Sequence, residues 1–309
     1  MKCTRCKKLA CVSLPSHHSG FCKDCYPLFF SKQVATAIRR EKMFDRGHRI
    51  LVALSGGKDS LGLMLELKLQ GYDVTGLHID LGIPISSDNA RAKVENFCEK
   101  EGLKLQVLEM EKEGLPIPDV KEHIKRPVCA VCGKVKRHQF NRIAREGGFE
   151  VLATGHNLDD EVARLFANTL RWDTAYLSDQ GPVLPADDGF VRKVKPLFRL
   201  SEFETANYAF LKGIEIHSDP CPYAQGASFT NHKEMWGELE FRSPGQKFQF
   251  YNGFMERGRA AFAAIEKSEG ATLTPCDVCG SPTSVGTCSV CRIKATVKEN
   301  KALAEAEQA

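Results

Sequence analysis

The chain has 309 residues, of which 42% are hydrophobic and 27% charged, a balance typical of a folded globular protein of about two domains. Its 43 Lys and Arg against 39 Asp and Glu give a net charge of +4, which permits a nucleic-acid partner without requiring one. No run of about 18 apolar residues is present, which excludes a transmembrane helix, and we expect no membrane partner. The first 30 residues hold five cysteines and no apolar stretch, so we expect no signal peptide and a cytoplasmic protein.

Eight of the 13 cysteines form two groups of paired CxxC motifs, one near each end of the chain. The groups are Cys3, Cys6, Cys22 and Cys25, and Cys276, Cys279, Cys288 and Cys291. Four thiolates at such spacing suit a tetrahedral zinc ion, and both segments are too short and polar to form a core without one. We predict two structural zinc ribbons, at residues 1–30 and 269–295; reduced cysteines without metal are the alternative.

Between the ribbons, patterns typical of buried strands alternate with patterns typical of helices. The predicted strands are 48–55, 73–80, 104–110 and 151–155, and the predicted helices are 58–70, 88–101 and 158–170. This alternation predicts an α/β fold with a doubly wound parallel sheet. Ser87 or Asp88 is the expected N-cap of the second helix. We expect the mainly helical stretch 200–268 to pack on this sheet within one domain, 31–268, and the tail 296–309 to be a solvated or frayed helix.

The first of these strands ends in the run SGGKDS at 55–60. Its two glycines let the backbone approach a ligand closely, and a helix N-terminus presents free N–H groups to an anion. A turn that only caps the helix is the alternative. The run resembles the PP-loop of the ATP pyrophosphatases, which cut ATP between the α and β phosphates. The resemblance implies ATP contacts from Ala53, Ser55, Gly56, Gly57, Lys58, Asp59 and Ser60.

A second polar run, GHNLDDE at 155–161, follows a strand and begins a helix. Ligands of open α/β sheets bind at this edge, and the GHNxDD pattern is similar to a second motif of the PP-loop enzymes that modify tRNA. We expect Asp159 or Asp160 to hold Mg²⁺ or to assist proton transfer, and at least one of them to act only as an N-cap. Further nucleotide contacts are expected from Gly155, His156 and Asp160, and from His78 and Asp80 where the second strand ends.

Three more cysteines, Cys129, Cys132 and Cys221, come from separate segments. They make an incomplete zinc site but suit a [4Fe–4S] cluster with one open iron that can bind sulfide. The first alternative is metal-free, with a persulfide on one cysteine and a second cysteine that resolves it as a disulfide. A purely structural role is the second alternative, and the three residues alone do not decide among them.

Together, SGGKDS, the CxxC at 129–132, GHNLDDE, Cys221 and the terminal ribbons resemble the tRNA 2-thiolation enzymes over about residues 1–295. Ribbons at both ends favour the uridine branch over the cytidine-32 branch. The segment 222–254 is similar to the TtuA type, which makes 2-thiouridine at position 54 in the T-loop, more than to the wobble-uridine Ncs6 type. The resemblance implies that the uridine C2 oxygen attacks the α phosphate of ATP, pyrophosphate leaves, and sulfide then displaces AMP.

The same resemblance implies roles, cofactors and partners. Lys136 would stabilise phosphate charge and Asp160 would act as acid or base; the full implied catalytic set is Asp59, Lys136, Asp160, Cys129 and Cys221. The implied cofactors are ATP, Mg²⁺, one [4Fe–4S] cluster and two Zn²⁺. The implied partners are tRNA and a sulfur-carrier protein with a C-terminal thiocarboxylate, or free sulfide, and a homodimer is compatible with the family. Basic groups at 39–49, 134–145 and 192–199 fit a tRNA partner, and an ordinary solvated face is the equal alternative for each.

Two rival functions are consistent with parts of this pattern. Another PP-loop enzyme, such as an amidotransferase or an NAD-synthetase-like ligase, would use the same nucleotide loop but needs no cysteine triad. A zinc-ribbon protein that binds RNA without catalysis would need neither the nucleotide loop nor the cysteine triad. The intact Ser55, Lys58, Asp59 and Ser60 argue against the second rival.

Overall fold

The N-terminal ribbon is built on an antiparallel hairpin of β1 (Val12–Leu14) and β2 (Ser19–Phe21), joined by a 3-10 turn at Pro15–His17. This computed structural model describes residues 1–187, 189–217, 219–224, 228–265 and 273–308. Helix α1 (Tyr26–Arg40) follows the hairpin, and the Tyr26 hydroxyl donates a hydrogen bond to the Glu204 carbonyl at 2.7 Å. Because Tyr26 is fully buried, the ribbon is anchored on the central domain.

The central domain contains a six-stranded sheet. Its strands are β3 (Arg49–Leu54), β4 (Asp73–Asp80), β5 (Lys104–Glu109), β6 (Val151–Ala153), β7 (Val183–Leu184) and β8 (Arg192–Val194). The order is β5-β4-β3-β6-β8-β7, and all neighbours are parallel except β7 and β8. The four predicted strands are confirmed. We did not predict β7 and β8, because strands of two and three residues are too short to show a hydrophobic pattern.

Helices cover both faces of the sheet. They are α2 (Lys58–Leu69), α3 (Ser86–Glu101), α4 (Ile117–His123), α5 (Val128–Glu146), α6 (Leu158–Arg171), α7 (Thr174–Ser178), α8 (Glu202–Leu211), α9 (Ser228–Arg242), α10 (Gln246–Gly253) and α11 (Arg259–Ile265), with a π-helical turn at Phe254–Gly258. Ile50 and Val52 of β3 join a core with α1, α2 and α6, whereas Leu51 joins a core with α4 and α5. The alternation confirms the doubly wound α/β fold.

The predicted N-cap of α3 was wrong. The helix begins at Ser86 and its N-cap is Ile85, which has a positive φ of 66°. Ser87 lies inside the first turn, where its hydroxyl accepts a hydrogen bond from the backbone N–H of Ile83 at 3.0 Å. The serine therefore stabilises the loop before the helix instead of capping the helix itself.

The C-terminal ribbon pairs β9 (Thr274–Pro275) with β10 (Pro282–Thr283) and continues into α12 (Ser289–Gln308). The predicted tail is a helix, as expected, but its first half is packed and not frayed. Val297 is buried, and Asn300 Nδ2 donates to the His123 carbonyl at 2.9 Å. Within the described residues, no helix has the length and apolar character needed to cross a membrane. The domain limits at 30, 268 and 295 stay a prediction.

Candidate active site

The run 55–60 forms a tight loop between β3 and α2. Gly56 has a φ of +84°, a conformation that favours glycine. The Ser60 hydroxyl accepts a hydrogen bond from Ser55 N at 3.1 Å and donates one to the Gly57 carbonyl at 3.0 Å. These bonds fix the loop from within and leave the first backbone N–H groups of α2 available to an anion.

Asp59 connects this loop to the GHN motif. Its Oδ1 accepts hydrogen bonds from Asn157 Nδ2 at 3.2 Å and from the Thr205 hydroxyl, and its Oδ2 lies 3.2 Å from Lys58 Nζ. Three elements, α2, α6 and α8, therefore meet at one carboxylate. Sequence reasoning identified Asp59 but missed Thr205, because no motif marks a threonine in the first turn of α8.

Two lysines and two carboxylates alternate beside the loop. Lys58 Nζ is 2.8 Å from Glu202, and Lys233 Nζ is 3.3 Å from Glu202 and 2.6 Å from Asp160. Burial disfavours the charge on Lys58, but Asp59 and Glu202 outweigh it and hold the Lys58 pKa above its ordinary value. Burial likewise opposes the charge on Glu202, yet Lys58 and Lys233 hold its pKa below the ordinary value. Lys58 and Glu202 are thus kept ionised. Sequence reasoning missed Glu202 and Lys233.

The neighbouring carboxylates Asp159 and Asp160 have different environments. Asp160 forms a capping box with Asn157, accepting from its backbone N–H at 3.0 Å, while its other oxygen pairs with Lys233. Asp159 is buried, where it accepts from Glu202 N at 2.8 Å and pairs with the buried Lys247. Asp160 therefore faces the candidate site, and Asp159 holds α6, α8 and α10 together.

The histidines expected near the nucleotide lie at the C-terminal edge of the sheet. His156 Nδ1 and the Thr154 hydroxyl are hydrogen-bonded at 2.8 Å, and burial lowers the His156 pKa to about 4. His78 Nδ1 donates to the Leu54 carbonyl at 3.0 Å, and burial lowers its pKa as well, so both rings are neutral at pH 7. The His78 Nε2 atom is buried and has no hydrogen-bond partner within the described residues.

Two other residues predicted to contact the nucleotide are partly engaged within the protein itself. Asp80 Oδ1 accepts a hydrogen bond from Gly82 N at 3.0 Å and so closes the turn after β4. Ala53 lies within β3, half-buried and paired with Leu77 of β4. The structure therefore groups the predicted residues of 55–60 and 155–160 closely, with His78, Asp80 and Ala53 along the adjoining strands.

The three separate cysteines lie at the N-terminus of α5 and in the segment 221–224. Cys129 is exposed, and its thiol donates a hydrogen bond to the Tyr223 carbonyl at 3.2 Å. Burial raises the pKa of Cys132, the nearby Lys136 opposes this, and negative charge on Cys221 or Cys129 would raise the pKa further. The three thiols are therefore near neighbours. Because α5 leads into the parallel strand β6, its N-terminus lies at the same edge of the sheet as the loop 55–60.

Each terminal group of four cysteines has its sulfur atoms within 4.8 Å of one another. Cys6 and Cys22 Sγ are 3.6 Å apart, and Cys279 and Cys288 Sγ are 3.8 Å apart. Tetrahedral zinc with Zn–S bonds of about 2.3 Å requires a separation of about 3.8 Å. Burial opposes ionisation of Cys3, but backbone N–H groups outweigh it and lower its pKa to about 6. The geometry and the donors fit zinc.

Part of the predicted basic surface has structural partners. Lys195 is mostly buried and pairs with the fully buried Glu161 at 2.7 Å. Arg192 donates to the backbone carbonyls of Lys42 and Met43, both at 3.2 Å, and Arg199 stacks on Phe248. These three side chains of the group 192–199 therefore also stabilise the fold, and the role of the group in nucleic-acid binding stays a prediction.

Comparisons with known proteins agree along nearly the whole chain. A family model described as a PP-loop domain matches residues 30–225, and a model for the N-terminal LIM domain of the 2-thiouridine synthetase TtuA matches residues 2–27. The tRNA-5-methyluridine(54) 2-sulfurtransferase of Thermus thermophilus is 40% identical, covering 95% of this chain and 91% of the relative. The protein of the same name from Pyrococcus horikoshii is 36% identical, covering 97% and 95%.

A solved structure shows the same fold at lower identity. The U34-tRNA thiolase NcsA from Methanococcus maripaludis, determined with its [4Fe-4S] cluster, superposes with a TM-score of 0.78. Its sequence is 24% identical, and the match covers 96% of both chains. The arrangement of ribbon, sheet and helices is thus shared beyond the range of close sequence similarity.

Proposed function

Since this chain belongs to the PP-loop tRNA 2-thiolation enzymes of the TtuA type, we propose that it replaces the C2 oxygen of uridine 54 in the tRNA T-loop with sulfur. Relatives named for position 54 are 36–40% identical to it, whereas the relatives named cytoplasmic tRNA 2-thiolation protein 1 are 29% identical. This difference supports the T-loop over other target positions. Paired, metal-binding cysteines also support a reducing, cytoplasmic location.

One observation carries the proposal. The nucleotide loop 55–60 and the cysteines 129, 132 and 221 lie at the same edge of one sheet, and the hydrogen bond from Cys129 to the Tyr223 carbonyl joins the two cysteine segments. A PP-loop ligase that transfers only an adenylyl group would need the first set of residues alone. Activation by ATP and delivery of sulfur require both sets close together.

The activation step uses the charged groups beside the loop. The uridine C2 oxygen bonds to the α phosphorus of ATP, the bond to the bridging oxygen breaks, and pyrophosphate leaves with the electron pair. Lys58, Lys233 and the N–H groups at the start of α2 bind the phosphate charge. Asp160 accepts the proton that the uridine N3 loses, and Asp59 and Glu202 would supply oxygen atoms suited to Mg²⁺.

The sulfur step depends on the three cysteines. Cys129, Cys132 and Cys221 would hold a [4Fe–4S] cluster, and when bound such a cluster supplies the sulfide that replaces the adenylated oxygen at C2. Lys136, one turn after Cys132, would stabilise the AMP that leaves. The sulfur would come from a thiocarboxylated carrier protein or from free sulfide.

The reaction can be tested with purified protein. We would reconstitute it without oxygen, add ATP, Mg²⁺, sulfide and an unmodified tRNA transcript, and analyse the digested nucleosides by mass spectrometry. A parallel transcript carries cytidine in place of uridine 54. We expect 2-thiouridine from the first transcript only. A thiolated uridine in both would contradict the position, and its absence from both, even with a thiocarboxylated carrier, would contradict the reaction.

The role of the three cysteines has a separate test. Cys129→Ser, Cys132→Ser and Cys221→Ser should each lose the visible absorption of the reconstituted cluster while keeping two zinc ions per chain. Cys11→Ser is the matched control, because Cys11 is exposed and lies outside every cysteine group. Absorption that persists in all three variants would contradict the cluster, and a wild-type protein that thiolates without any iron would favour the persulfide route.

A further inference from the structure

A pocket of about 460 Å³ lies between the α4–α5 connection and helix α12. Lys125, Arg126 and Arg292 line it, and none of its lining residues is acidic. All three side chains are exposed, and none forms an ion pair with any residue that the structure describes. Like charges that converge without counter-charges repel one another and attract an anion, and a concave surface concentrates their field.

The walls of this pocket are held together by contacts within and beside it. Asn300 Nδ2 donates to the His123 carbonyl at 2.9 Å, and Lys301 Nζ pairs with Asp119 at 2.9 Å. Ile293, which lines the pocket, is 6% exposed and belongs to the core that also contains residues of α4 and α5. The cationic walls are therefore fixed relative to each other before any ligand binds, which lowers the entropic cost of binding.

The pocket lies between the cysteine triad and the C-terminal ribbon. Arg126 precedes Cys129 by three residues, a chain length that spans at most about 11 Å. Arg292 directly follows Cys291, a member of the C-terminal group of four cysteines. A polynucleotide whose target base reaches the triad would therefore pass beside these cations.

We propose that this pocket binds the phosphate backbone of the tRNA substrate near the nucleotide that is modified, an inference that rests on the proposed function. Arginine guanidinium groups match the geometry of phosphate oxygens, so Arg126 and Arg292 are its principal contacts. Such contacts fix the position of a nucleic acid without reading its sequence. They complement the recognition of the uridine itself at the nucleotide loop and the cysteines.

The test compares tRNA binding by Arg126→Glu, Arg292→Glu and Lys298→Glu, measured by fluorescence anisotropy over a series of salt concentrations. Lys298 is the matched control, since it is exposed and lies nine residues, or two and a half turns, after the pocket residue Ser289, on the opposite face of α12. All three variants make the same charge change. Zinc content and thermal melting check that each variant is folded. Arg292→Gln removes the positive charge at this position without adding a negative one.

Each arginine variant should bind tRNA about five- to eightfold more weakly at roughly 0.1 M salt, with a salt slope smaller by about 0.7 to 0.9. Lys298→Glu should bind like the wild type, and ATP binding should not change in any variant. Arginine variants that bind tRNA like Lys298→Glu would overturn the proposal that the pocket binds tRNA and would leave the proposed function intact. A loss of ATP binding would assign the pocket to the nucleotide instead. A wild-type protein that binds no tRNA would contradict both proposals.

Discussion

Gly155 lies so close to the nucleotide loop that a Cβ atom on it would be 2.8 Å from the backbone nitrogen of Ser60 and 2.9 Å from the carbonyl carbon of Asp59. Both contacts are with backbone atoms, which cannot move aside as a flexible side chain can. The glycine at the start of the GHN motif is therefore required by the packing of one loop against the other.

We expect Gly155→Ala to reduce thiolation by roughly 100-fold, because it would displace the phosphate-binding loop relative to the residues that follow Gly155. ATP binding measured by calorimetry should weaken in parallel. Gly237→Ala is the control, since a Cβ at Gly237 in α9 meets nothing within 4 Å. A Gly155→Ala protein with normal activity would show that the two loops separate readily in solution.

Substitution by asparagine should lower mainly the stability of the protein at Asp159 and mainly its turnover number at Asp160. Asp159→Asn removes the partner of the buried Lys247, and leaving a buried charge unpaired costs about 3–5 kcal/mol of unfolding free energy. Asp160→Asn keeps much of the capping box and should lower the turnover number more than the stability. Denaturant unfolding and steady-state kinetics of both variants measure the two effects. The assignment fails if Asp160→Asn is the more unstable variant.

His138 of α5 connects the helix that carries Cys129 and Cys132 to the C-terminal ribbon. Its Nε2 lies 3.5 Å from Cys279 Sγ and 3.7 Å from Cys288 Sγ. With zinc bound, this nitrogen can donate a hydrogen bond to the thiolates, and such outer contacts change metal affinity by about 10- to 100-fold.

We therefore expect His138→Ala to release one of the two zinc ions at a chelator concentration about tenfold lower than the wild type requires. The N-terminal zinc site is the internal control, because within the described residues His138 makes no hydrogen bond to its four cysteines. Release followed with a zinc-binding dye should then show two phases in the variant. Equal release of both ions would mean that His138 only packs against the ribbon.

Much of this fold could be predicted because its signals are local. The strand that leads into SGGKDS, the helix after it and the four-cysteine groups depend on short runs of sequence, and they were predicted within about two residues of their observed limits. Glu202 and Lys233 could not be found in this way. Their role comes from packing α8 against α2 and α9 against α6, which brings a carboxylate to Lys58 from 144 residues away along the chain.

The contrast between Lys195 and Arg292 illustrates the same limit for charged residues. Both belong to basic stretches of sequence, yet Lys195 is buried against Glu161, whereas Arg292 is exposed beside a cationic pocket. A sequence pattern shows which residues are charged, but only the tertiary structure shows which of them form ion pairs. The proposed tRNA-binding pocket is therefore defined by charges that the fold leaves unpaired within the described residues.

The stability of the protein should depend on pH through His156. Burial lowers its pKa to about 4 in the folded protein, against an ordinary value of 6.5, so between these values the unfolded chain binds a proton that the folded chain does not. The unfolding free energy should therefore fall as the pH is lowered from 6.5 to 4, by up to about 3 kcal/mol. Urea unfolding at several pH values measures this loss.

His156→Asn should reduce that pH dependence, because the amide can still bond to the Thr154 hydroxyl but does not titrate. The unfolding free energy of the variant should change less between pH 6.5 and 4 than that of the wild type. A His156→Asn curve parallel to the wild-type curve would show that another group causes the loss of stability in acid.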